Sequence, residues 1–563
     1  MRKILILSAL VSGGIAFQAT ARGTWTIQSV EYSVDTLYHA TVGPGTTETE
    51  LRIEATEGSS SVVNNVFYTV TELDNPYVEM RVAKAGNHMR MLETVPEIAA
   101  RMNQPGERYF AGINADFFNM GDPYNSIGMC VANGFLTNYA TDGADIDPYY
   151  LIINNNGEPI FSRHVYNDWE GSMTFESGAK YSFHLNTRRG DDEILLYTPQ
   201  WQFYDSYSSK MHKAGYTGTN AYGVEVKVRP VGENVLYGNS LQLEVIEQPE
   251  VEVGNMAIPA DGYVISAHGR ARKYISELKK GDIVIANIGF RADVRPTAVK
   301  EVVGGFPNIL KGGRVLPAPS YPEHLSGPEP RSAVGYNEDK TRMIMLVVDG
   351  RNAGGSSGVT QKQLADIMRN IGCYDAMNFD GGGSSTMYID GFGVKNVPSS
   401  SSLDKRPEGT PRTVVNGLFA VATAPVDNEI ASIEIREKSL SLSAGESVVP
   451  VVYGYNQYGV LVSTDLQGCN FTVPEEIATV SGSAITATDG HYCGLLTADY
   501  NGLTYTIPVS INGGGEFITS AIYDTTVDNP ATEEYYMING VKTAAPVPGQ
   551  IIVTGSGKKT IIL

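Results

Sequence analysis

The sequence predicts an α+β fold, in which a mixed-sheet domain is followed by a small all-β sandwich. Three observations favour this class. Polar and apolar residues alternate over 22–75, as expected of a β-rich N-terminal segment. A capped helix pattern separates two apolar strand patterns within the long middle region, 76–425. Short strand patterns with regular turns then fill 426–512.

The composition is that of a globular, acidic protein. The chain has 563 residues, of which 42% are hydrophobic and 18% are charged. Its formal net charge is −20, which argues against nucleic acid and anionic membranes as partners. The charge does not exclude a local basic pocket for phosphate, and the composition leaves the oligomeric state open.

Residues 1–21 have the pattern of a secretory signal. Arg2 and Lys3 supply positive charges, an apolar run follows, and Ala19–Ala21 is a cleavage-site pattern. No later run approaches the length of about 18 apolar residues that a membrane span needs, so no span is expected. The sequence therefore predicts an exported protein that is periplasmic, located at the cell surface or secreted.

One helix stands out in the middle region. Thr360 is a suitable N-cap, and Gln363 three residues later completes a capping-box pattern. Apolar residues follow at helical spacing, and Gly372 stands where a C-terminal glycine belongs. The pattern predicts a short amphipathic helix between these limits.

Apolar strand patterns lie on both sides of this helix, over 343–348 and 376–379. Each is followed by an aspartate and a glycine, at Asp349 and at Asp380. If the two strands are neighbours in one sheet, both aspartates meet at the same sheet edge, where ligands often bind.

Asp380 begins a loop of three glycines and three hydroxyl residues, Gly381–Thr386. Glycine allows backbone angles that are closed to other residues and lets a ligand approach closely. Successive N–H groups of such a loop can form a concavity for an anion. A carboxylate beside an anion site suits chemistry on a phosphorylated substrate.

The C-terminal part of the chain changes in character. The region 426–512 resembles the bacterial immunoglobulin-like modules of surface and exported proteins, and its two cysteines, Cys469 and Cys493, could form a disulfide. The tail, 513–563, is interpreted either as a sorting or attachment segment or as a small hairpin.

Four motifs lie between Pro330 and Ile389, and the last of them contains the glycine loop: Arg331–Gly335, Val347–Arg351, Ser356–Thr360 and Asn378–Thr386. With these motifs the chain resembles the phosphodiester glycosidase family. Weaker matches extend the resemblance over about 100–425, among them Asn114–Phe118, Ser266–Gly269 and Pro411–Gly417. The family often has glycine and an aromatic residue where this chain has Ala115 and Asp116, and threonine where it has Ser332.

The resemblance implies hydrolysis of the sugar–phosphate bond of glycosyl-1-phosphodiesters, in envelope polymers or glycans. Such cleavage uses carboxyl groups at the anomeric carbon, and arginines at loop ends suit bidentate phosphate contact. The catalytic candidates on this basis are Asp380, Asp349, His268 and Asp116. The substrate-binding candidates are Arg331, Arg351, Ser356, Gly381, Gly382, Gly383, Ser384, Ser385, Arg412 and Asn114. The spacing does not decide which carboxylate acts at which step.

Other interpretations of the same residues stay open. Asp-Gly pairs are common in turns, arginines form structural salt bridges, and His268 could be a structural histidine. A group of aromatic residues could stack on sugars or only pack between strands: Trp201, Phe203, Tyr204 and Tyr207. No cofactor is specified, although Asp and Asn oxygens could hold a Ca²⁺ or Mg²⁺ ion. The alternative functions are a non-catalytic carbohydrate-binding surface protein and a phosphodiesterase that acts at phosphorus.

Overall fold

The computed structural model describes residues 23–517 with short gaps, and beyond 517 only four short strands. The gaps are 58–59, 121–125, 139–148, 168–170, 206–209, 235, 238–239, 289, 294–297, 319–326, 400–405 and 515. The signal pattern at 1–21 and most of the tail at 513–563 therefore lie outside the described residues.

The α+β prediction is wrong, because the described chain is mostly β. Its helices are α1 (Val95–Met102), α2 (Arg272–Ser276) and α3 (Gln361–Ile371), against 47 strands, numbered in chain order. The strands pair almost entirely in antiparallel fashion, and antiparallel neighbours can be joined by tight turns instead of helical crossovers. The apolar runs of the middle region therefore need few helices to connect them.

The chain divides into two compact units. The larger unit contains residues 23–428 and 458–460, and the smaller contains 429–457 and the described residues from 461 onwards. Within the larger unit, the segment 23–72 supplies four strands to the same sheet as strands from 308–378. The predicted domain boundaries stay predictions.

Four large sheets build the larger unit. The nine-stranded sheet has the order β1 (Gly23–Ile27), β2 (Val30–Gly43), β3 (Thr46–Glu57), β4 (Ser60–Glu72), β28 (Arg342–Val348), β27 (Arg331–Tyr336), β29 (Asp375–Asn378), β25 (Asn308–Lys311) and β26 (Arg314–Val315). The five-stranded sheet has the order β31 (Gly393–Val394), β30 (Met387–Ile389), β6 (Arg108–Asn114), β32 (Asn416–Ala422) and β5 (Val78–Lys84).

The strands of the other two large sheets come from residues 130–305. The six-stranded sheet has the order β22 (Phe290–Ala292), β10 (Pro159–Asn167), β9 (Tyr149–Ile153), β24 (Glu301–Gly305), β7 (Cys130–Ala132) and β8 (Phe135–Asn138). The ten-stranded sheet has the order β19 (Glu250–Val253), β16 (Gly223–Pro230), β20 (Tyr263–His268), β13 (Ile194–Tyr197), β12 (Lys180–Leu185), β11 (Gly171–Thr174), β21 (Ile283–Asn287), β18 (Ser240–Val245), β17 (Leu236–Tyr237) and β23 (Ala298–Val299). A hairpin pairs β14 (Tyr204–Asp205) with β15 (Lys210–Met211).

The smaller unit has three short sheets around one apolar core. Their strands are β33 (Ser432–Ile435), β36 (Val452–Tyr455) and β37 (Leu461–Ser463); β34 (Leu440–Leu442), β42 (Leu503–Ile511), β41 (Tyr492–Tyr500), β38 (Asn470–Thr472) and β43 (Glu516–Phe517); and β35 (Ser447–Val448), β40 (Ala484–Ala487) and β39 (Ala478–Ser481). The immunoglobulin-like interpretation stays a prediction. All four cysteines are buried and none of them is in a disulfide, so Cys469 and Cys493 are not bridged.

The described part of the tail is a four-stranded antiparallel sheet with the order β45 (Lys542–Thr543), β44 (Tyr535–Met537), β46 (Ile551–Thr554) and β47 (Lys559–Ile561). Among all described residues, no helix combines the length and the apolar character that crossing a bilayer requires.

Strand β28 explains how the core around the candidate site is layered. Its alternate side chains face opposite ways: Met343, Met345 and Val347 pack into one apolar cluster with strands of the five-stranded sheet. The alternate residues Ile344, Leu346 and Val348 face the other way and pack with α3 in a second cluster. The strand is thus buried on both faces, which is why its sequence is a continuous apolar run.

The predicted helix is confirmed as α3. The Thr360 hydroxyl accepts a hydrogen bond from the Gln363 amide at 3.3 Å, and the Gln363 side chain accepts one from the Thr360 amide at 2.9 Å. Gly372 ends the helix with a φ of 111°, a left-handed conformation that favours glycine.

Candidate active site

Three strands of the nine-stranded sheet end or begin at one edge. The strands before Asp349 and Asp380 are not direct neighbours, because β27 lies between β28 and β29 and is antiparallel to both. Arg331, the first residue of β27, is the pairing partner of Val348. The edge therefore brings both aspartates together with the start of the arginine-bearing strand.

Asp380 is fixed through its backbone. Its amide donates to the Ala115 carbonyl at 2.8 Å, and its carbonyl accepts from the Asn114 side chain at 2.7 Å. The residue is only partly exposed, and burial raises the pKa of its carboxyl to about 6 against the opposing effects of the Ser384 hydrogen bond and the Arg412 charge. The carboxylate is thus mainly ionised at neutral pH and close to cations.

The glycine loop is surrounded by arginines. An ideal Cβ atom placed on Gly383 would lie 2.4 Å from Nη2 of Arg412, and one on Gly382 would lie 3.0 Å from Nη2 of Arg351. Arg412 also donates to the Ser384 hydroxyl at 3.3 Å. The absence of side chains at these two glycines lets both guanidinium groups lie against the loop backbone.

Arg406 is a third arginine at the loop, and the sequence reasoning did not select it. Its Nη2 atom donates to the Gly383 carbonyl at 3.1 Å, and its Nη1 atom donates to the Thr410 carbonyl. The one available signal was its position six residues before Arg412. Arg351, Arg406 and Arg412, which we call the arginine cluster, give the loop a strongly positive surrounding.

Glu329 balances part of this charge. One of its carboxylate oxygens accepts from Nε of Arg351 at 2.6 Å, and both side chains are about one-third exposed. Because Nε is engaged by Glu329, the terminal nitrogens of Arg351 are the atoms that lie over Gly382. Arg351 has a φ of 58°, so its backbone adopts the uncommon left-handed conformation.

Several of the proposed substrate-binding side chains are buried, among them Arg331 and Ser356. Arg331 donates from Nε to the Val359 carbonyl at 3.1 Å and from Nη2 to the Gly327 carbonyl at 2.7 Å, and burial lowers its pKa to about 10. The Ser356 hydroxyl donates to the Asp349 carbonyl at 2.8 Å. These contacts are those of residues that shape the sheet edge, and direct substrate contact by them stays a prediction.

Asn114 connects three segments of the site. Its side-chain oxygen accepts from the Ser332 hydroxyl at 2.7 Å and from the Thr386 amide at 3.2 Å, while its nitrogen holds the Asp380 carbonyl. Because both ends of the amide are engaged within the protein, Asn114 positions the glycine loop.

Asp349 is buried and bonded within the protein. Asn396 donates to one carboxylate oxygen at 3.0 Å, and the Val397 amide donates to both oxygens at 3.1 Å. Burial raises the pKa of Asp349 to about 7 in spite of these donors. The same Asn396 nitrogen donates to the Ser385 carbonyl at 3.1 Å, so this residue, which no motif indicated, joins Asp349 to the glycine loop.

Asp116 lies beside Asp380 in a slot lined by glycine. The Gly128 amide donates to its two oxygens at 3.0 and 3.3 Å, and a Cβ atom on Gly304 would lie 2.7 Å from Oδ1. Burial raises the pKa of Asp116 to about 8, and the charge of Asp380 contributes in the same direction. The structure thus brings Asp116 and Asp380 together.

His268 is placed elsewhere. It ends β20 in the ten-stranded sheet, where its Nδ1 atom lies 3.2 Å from a carboxylate oxygen of Asp191. His268 contacts residues of that sheet and its loops. The structure does not place it at the glycine loop, and its catalytic role stays a prediction.

The aromatic group is a core element as far as it is described. Trp201 is 2% exposed, packs 5.4 Å from the Tyr197 ring, and donates through its indole nitrogen to the Thr217 carbonyl. Phe203 packs against Trp201 and His212. Tyr207 lies outside the described residues. These contacts favour strand packing over sugar stacking for Trp201.

The described residues contain no group of three or more His, Cys, Asp or Glu side chains arranged to hold a metal ion. A Ca²⁺ or Mg²⁺ ion held by Asp and Asn oxygens stays a prediction from the sequence.

Comparison with known proteins finds a family match over the region that carries the site. Residues 241–421 match the phosphodiester glycosidase family. The predicted resemblance is thus confirmed over this segment, which contains the glycine loop, Asp349 and the arginine cluster. Asn114 and Asp116 precede the matched segment.

Individual relatives are distant. The SPbeta prophage-derived uncharacterized protein YomE of Bacillus subtilis is 30% identical over 113 residues, which is 20% of this chain and 16% of that protein. A hypothetical protein from Synechocystis has 18% identity and a TM-score of 0.42, over 67% of this chain and 62% of its own. The catalytic domain of zebrafish N-acetylglucosamine-1-phosphodiester alpha-N-acetylglucosaminidase, auto-inhibited by its pro-peptide, has 12% identity and a TM-score of 0.34, over 72% and 97%. At such TM-scores neither structure bears on the fold or the site.

Proposed function

We propose that this protein hydrolyses the bond between the anomeric carbon of a sugar and the phosphate of a glycosyl phosphodiester. The observation that carries the proposal is the arginine cluster around the glycine loop, beside the partly exposed residue Asp380. The family match over 241–421 supports a glycosidase of this kind.

The arginine cluster suits the phosphate of such a substrate. Guanidinium groups form paired hydrogen bonds to phosphate oxygens and keep their charge at all relevant pH values. Arg351 and Arg412 present terminal nitrogens at Gly382 and Gly383, whereas the Gly382 amide is itself bonded to the Pro330 carbonyl at 2.8 Å. A phosphodiester carries one negative charge, and several cations stabilise the second charge that develops on it as the bond to the sugar breaks.

Asp380 suits the sugar side of the reaction. With a pKa of about 6, its carboxyl is mainly ionised at neutral pH, so it can act on the anomeric carbon or on an attacking water molecule. The C–O bond to the anomeric carbon breaks, the electron pair stays with the phosphate oxygen, and water supplies the new sugar hydroxyl. A phosphate leaving group of low pKa needs little proton donation.

The test is release of free sugar from a sugar-1-phosphodiester by purified protein. We expect turnover by the wild type and a loss of at least about a hundredfold in Asp380→Asn, the scale typical of removing a catalytic carboxylate. Asp390→Asn is a matched control, because this carboxylate follows the neighbouring strand β30 and bonds to Arg108 instead. Equal inactivity of wild type and Asp380→Asn on a broad panel of sugars would remove the main support.

Isotope labelling distinguishes attack at carbon from attack at phosphorus. In ¹⁸O-labelled water, glycosidic cleavage places the label on the sugar hydroxyl, whereas label in the phosphate would show that the protein is a phosphodiesterase. Glycan binding that survives Asp380→Asn without any turnover would favour a carbohydrate-binding protein.

We further propose that the protein is exported and meets its substrate in the cell envelope or outside the cell. Support comes from the pattern of residues 1–21 alone. Mass spectrometry of the mature protein tests this, with Arg22 as the expected first residue.

A further inference from the structure

Lys84 is a buried lysine that no sequence motif indicated. It ends β5, its side chain is only 1% exposed, and its Nζ atom donates to the Ser126 hydroxyl at 3.3 Å. Burying an ammonium group is costly unless a partner compensates for the lost water. A lysine at such a place therefore calls for an explanation.

The strand register offers an explanation for the burial of Lys84. Lys84 is the pairing partner of Asn416 in β32, whose neighbour Gly417 pairs with Asn114 in β6. Three adjacent strands therefore place Lys84, Asn416 and the Asn114–Asp116 segment side by side at one end of the five-stranded sheet. This end also meets the glycine loop, since the Asp380 amide donates to the Ala115 carbonyl at 2.8 Å.

Hydrogen bonds connect these groups. The Asp116 amide donates to the side-chain oxygen of Asn416 at 2.9 Å, and the side-chain nitrogen of Asn416 donates to the Ser126 hydroxyl at 3.5 Å. Ser126 in turn accepts from Lys84. A continuous polar path therefore runs from Lys84 through Ser126 and Asn416 to the backbone amide of Asp116, and the preceding residue, Ala115, is bonded to the Asp380 amide.

The charges of the path are coupled. Burial lowers the pKa of Lys84 to about 8 and raises that of Asp116 to about 8, and each charge favours the ionised form of the other. The groups that face them are the Cys130 thiol at Lys84, and Asp380 at Asp116. Asp380 faces Arg351 and Arg412 on its other side. Two neighbouring carboxyls with different proton affinities are the usual basis for separate acid and base roles.

We propose that Lys84 is a positioning residue of the active site, whose ammonium group is the counter-charge of Asp116 and sets the protonation of that carboxyl beside Asp380. The role in catalysis rests on the proposed glycosidase function, whereas the charge interaction between Lys84 and Asp116, which we call the pairing, does not. The two parts are tested separately.

A double-mutant cycle of thermal stability tests the pairing without any substrate. The variants are Lys84→Met, Asp116→Asn and the double variant, measured at pH 8 with the full-length protein. We expect Lys84→Met to lower the Tm more when residue 116 is aspartate than when it is asparagine. Additive losses would overturn the pairing, and with it the proposal.

The pH–rate profile tests the role in the site. The ammonium group holds the pKa of Asp116 down, so its loss in Lys84→Met moves the limb of the profile that belongs to Asp116 to higher pH, whichever protonation state is active. The limb near pH 6 that belongs to Asp380 stays in place. Lys300→Met is the control, because Lys300 bonds to Glu79 at 3.3 Å and is expected to leave both limbs unchanged.

The outcomes separate the two proposals. Coupling in the cycle with an unshifted profile would show a structural ion pair and overturn the role in the site. If the wild type turns over no glycosyl phosphodiester, the proposed function fails, and the inference then stands or falls with the cycle alone.

Discussion

Replacing Gly383 by alanine tests whether the glycine loop places Arg412 for phosphate binding. The new Cβ atom would lie 2.4 Å from Nη2 of Arg412, whereas ordinary contacts begin at 3.4 Å, so the guanidinium group must retreat by about 1 Å. Gly383 does not have a positive φ, and the atoms in the way belong to the ends of two flexible side chains, Arg412 and, at 3.2 Å, Arg406. The fold should therefore tolerate the change while Arg412 loses its position.

The magnitude follows from the contact that is lost. A hydrogen bond to a charged group contributes about 1.5–3 kcal/mol, which corresponds to about 10- to 150-fold in kcat/KM if Arg412 holds the phosphate in the transition state. The assay is sugar release from a glycosyl phosphodiester, with Tm measured in parallel. Gly327→Ala is the matched control, because no atom of the described residues lies within 4 Å of a Cβ atom there.

An unchanged kcat/KM in a folded Gly383→Ala protein would refute the reasoning, since Arg412 would then not depend on the missing side chain. A fall in Tm large enough to unfold the protein at the assay temperature would also refute it. The loss of activity would then come from unfolding, and Gly383 would be needed for folding instead of for arginine placement.

Four further predictions concern pH and stability. The rate should fall as the pH drops through about 6, because protonation removes the negative charge of Asp380; a pH–rate profile checks this. Glu48→Gln should flatten the dependence of stability on pH. The folded pKa of Glu48 is raised from 4.5 to about 8, so the wild type loses stability as the pH rises through that interval. Urea unfolding at several pH values measures the free energy of unfolding of both proteins. Asn396→Ala should cost about 1–3 kcal/mol in urea unfolding, because it removes the side-chain donor to the buried Asp349 carboxyl and to the Ser385 carbonyl, while the Val397 amide stays bonded to Asp349. Thr360→Ala should cost about 1 kcal/mol by removing the cap of α3; unchanged unfolding midpoints would contradict these last two.

The local parts of the fold were predictable because their signals lie within a few residues. Thr360, Gln363 and Gly372 specify the limits of α3 through hydrogen bonds between near neighbours and one left-handed glycine. The same holds for the apolar strand before Asp349. The class of the whole fold was not predictable in this way. An apolar run shows that a strand is buried in a sheet, but not whether a turn or a helix connects it to the neighbouring strand.

The candidate site was predictable only where it follows the chain closely. Asp380 and the glycines after it form one motif, and Arg412 stood in a motif of its own. Lys84 and Asn396 carry no such signal, because a single lysine at a strand end and a single asparagine before a valine are ordinary sequence. Their contacts arise from strand register and loop packing, which only the tertiary structure provides.

The interleaving of strands has a consequence for fragments of this protein. β28 borders β4 along its whole length, and β6 lies between β30 and β32, so strands from the first 114 residues complete both sheets at the site. A fragment limited to the family-matched stretch 241–421 would leave β28, β30 and β32 at the site with unpaired backbone edges, and strands of the other two large sheets as well. Such edges template association with other chains, and the fragment would aggregate before its catalytic competence could be assayed.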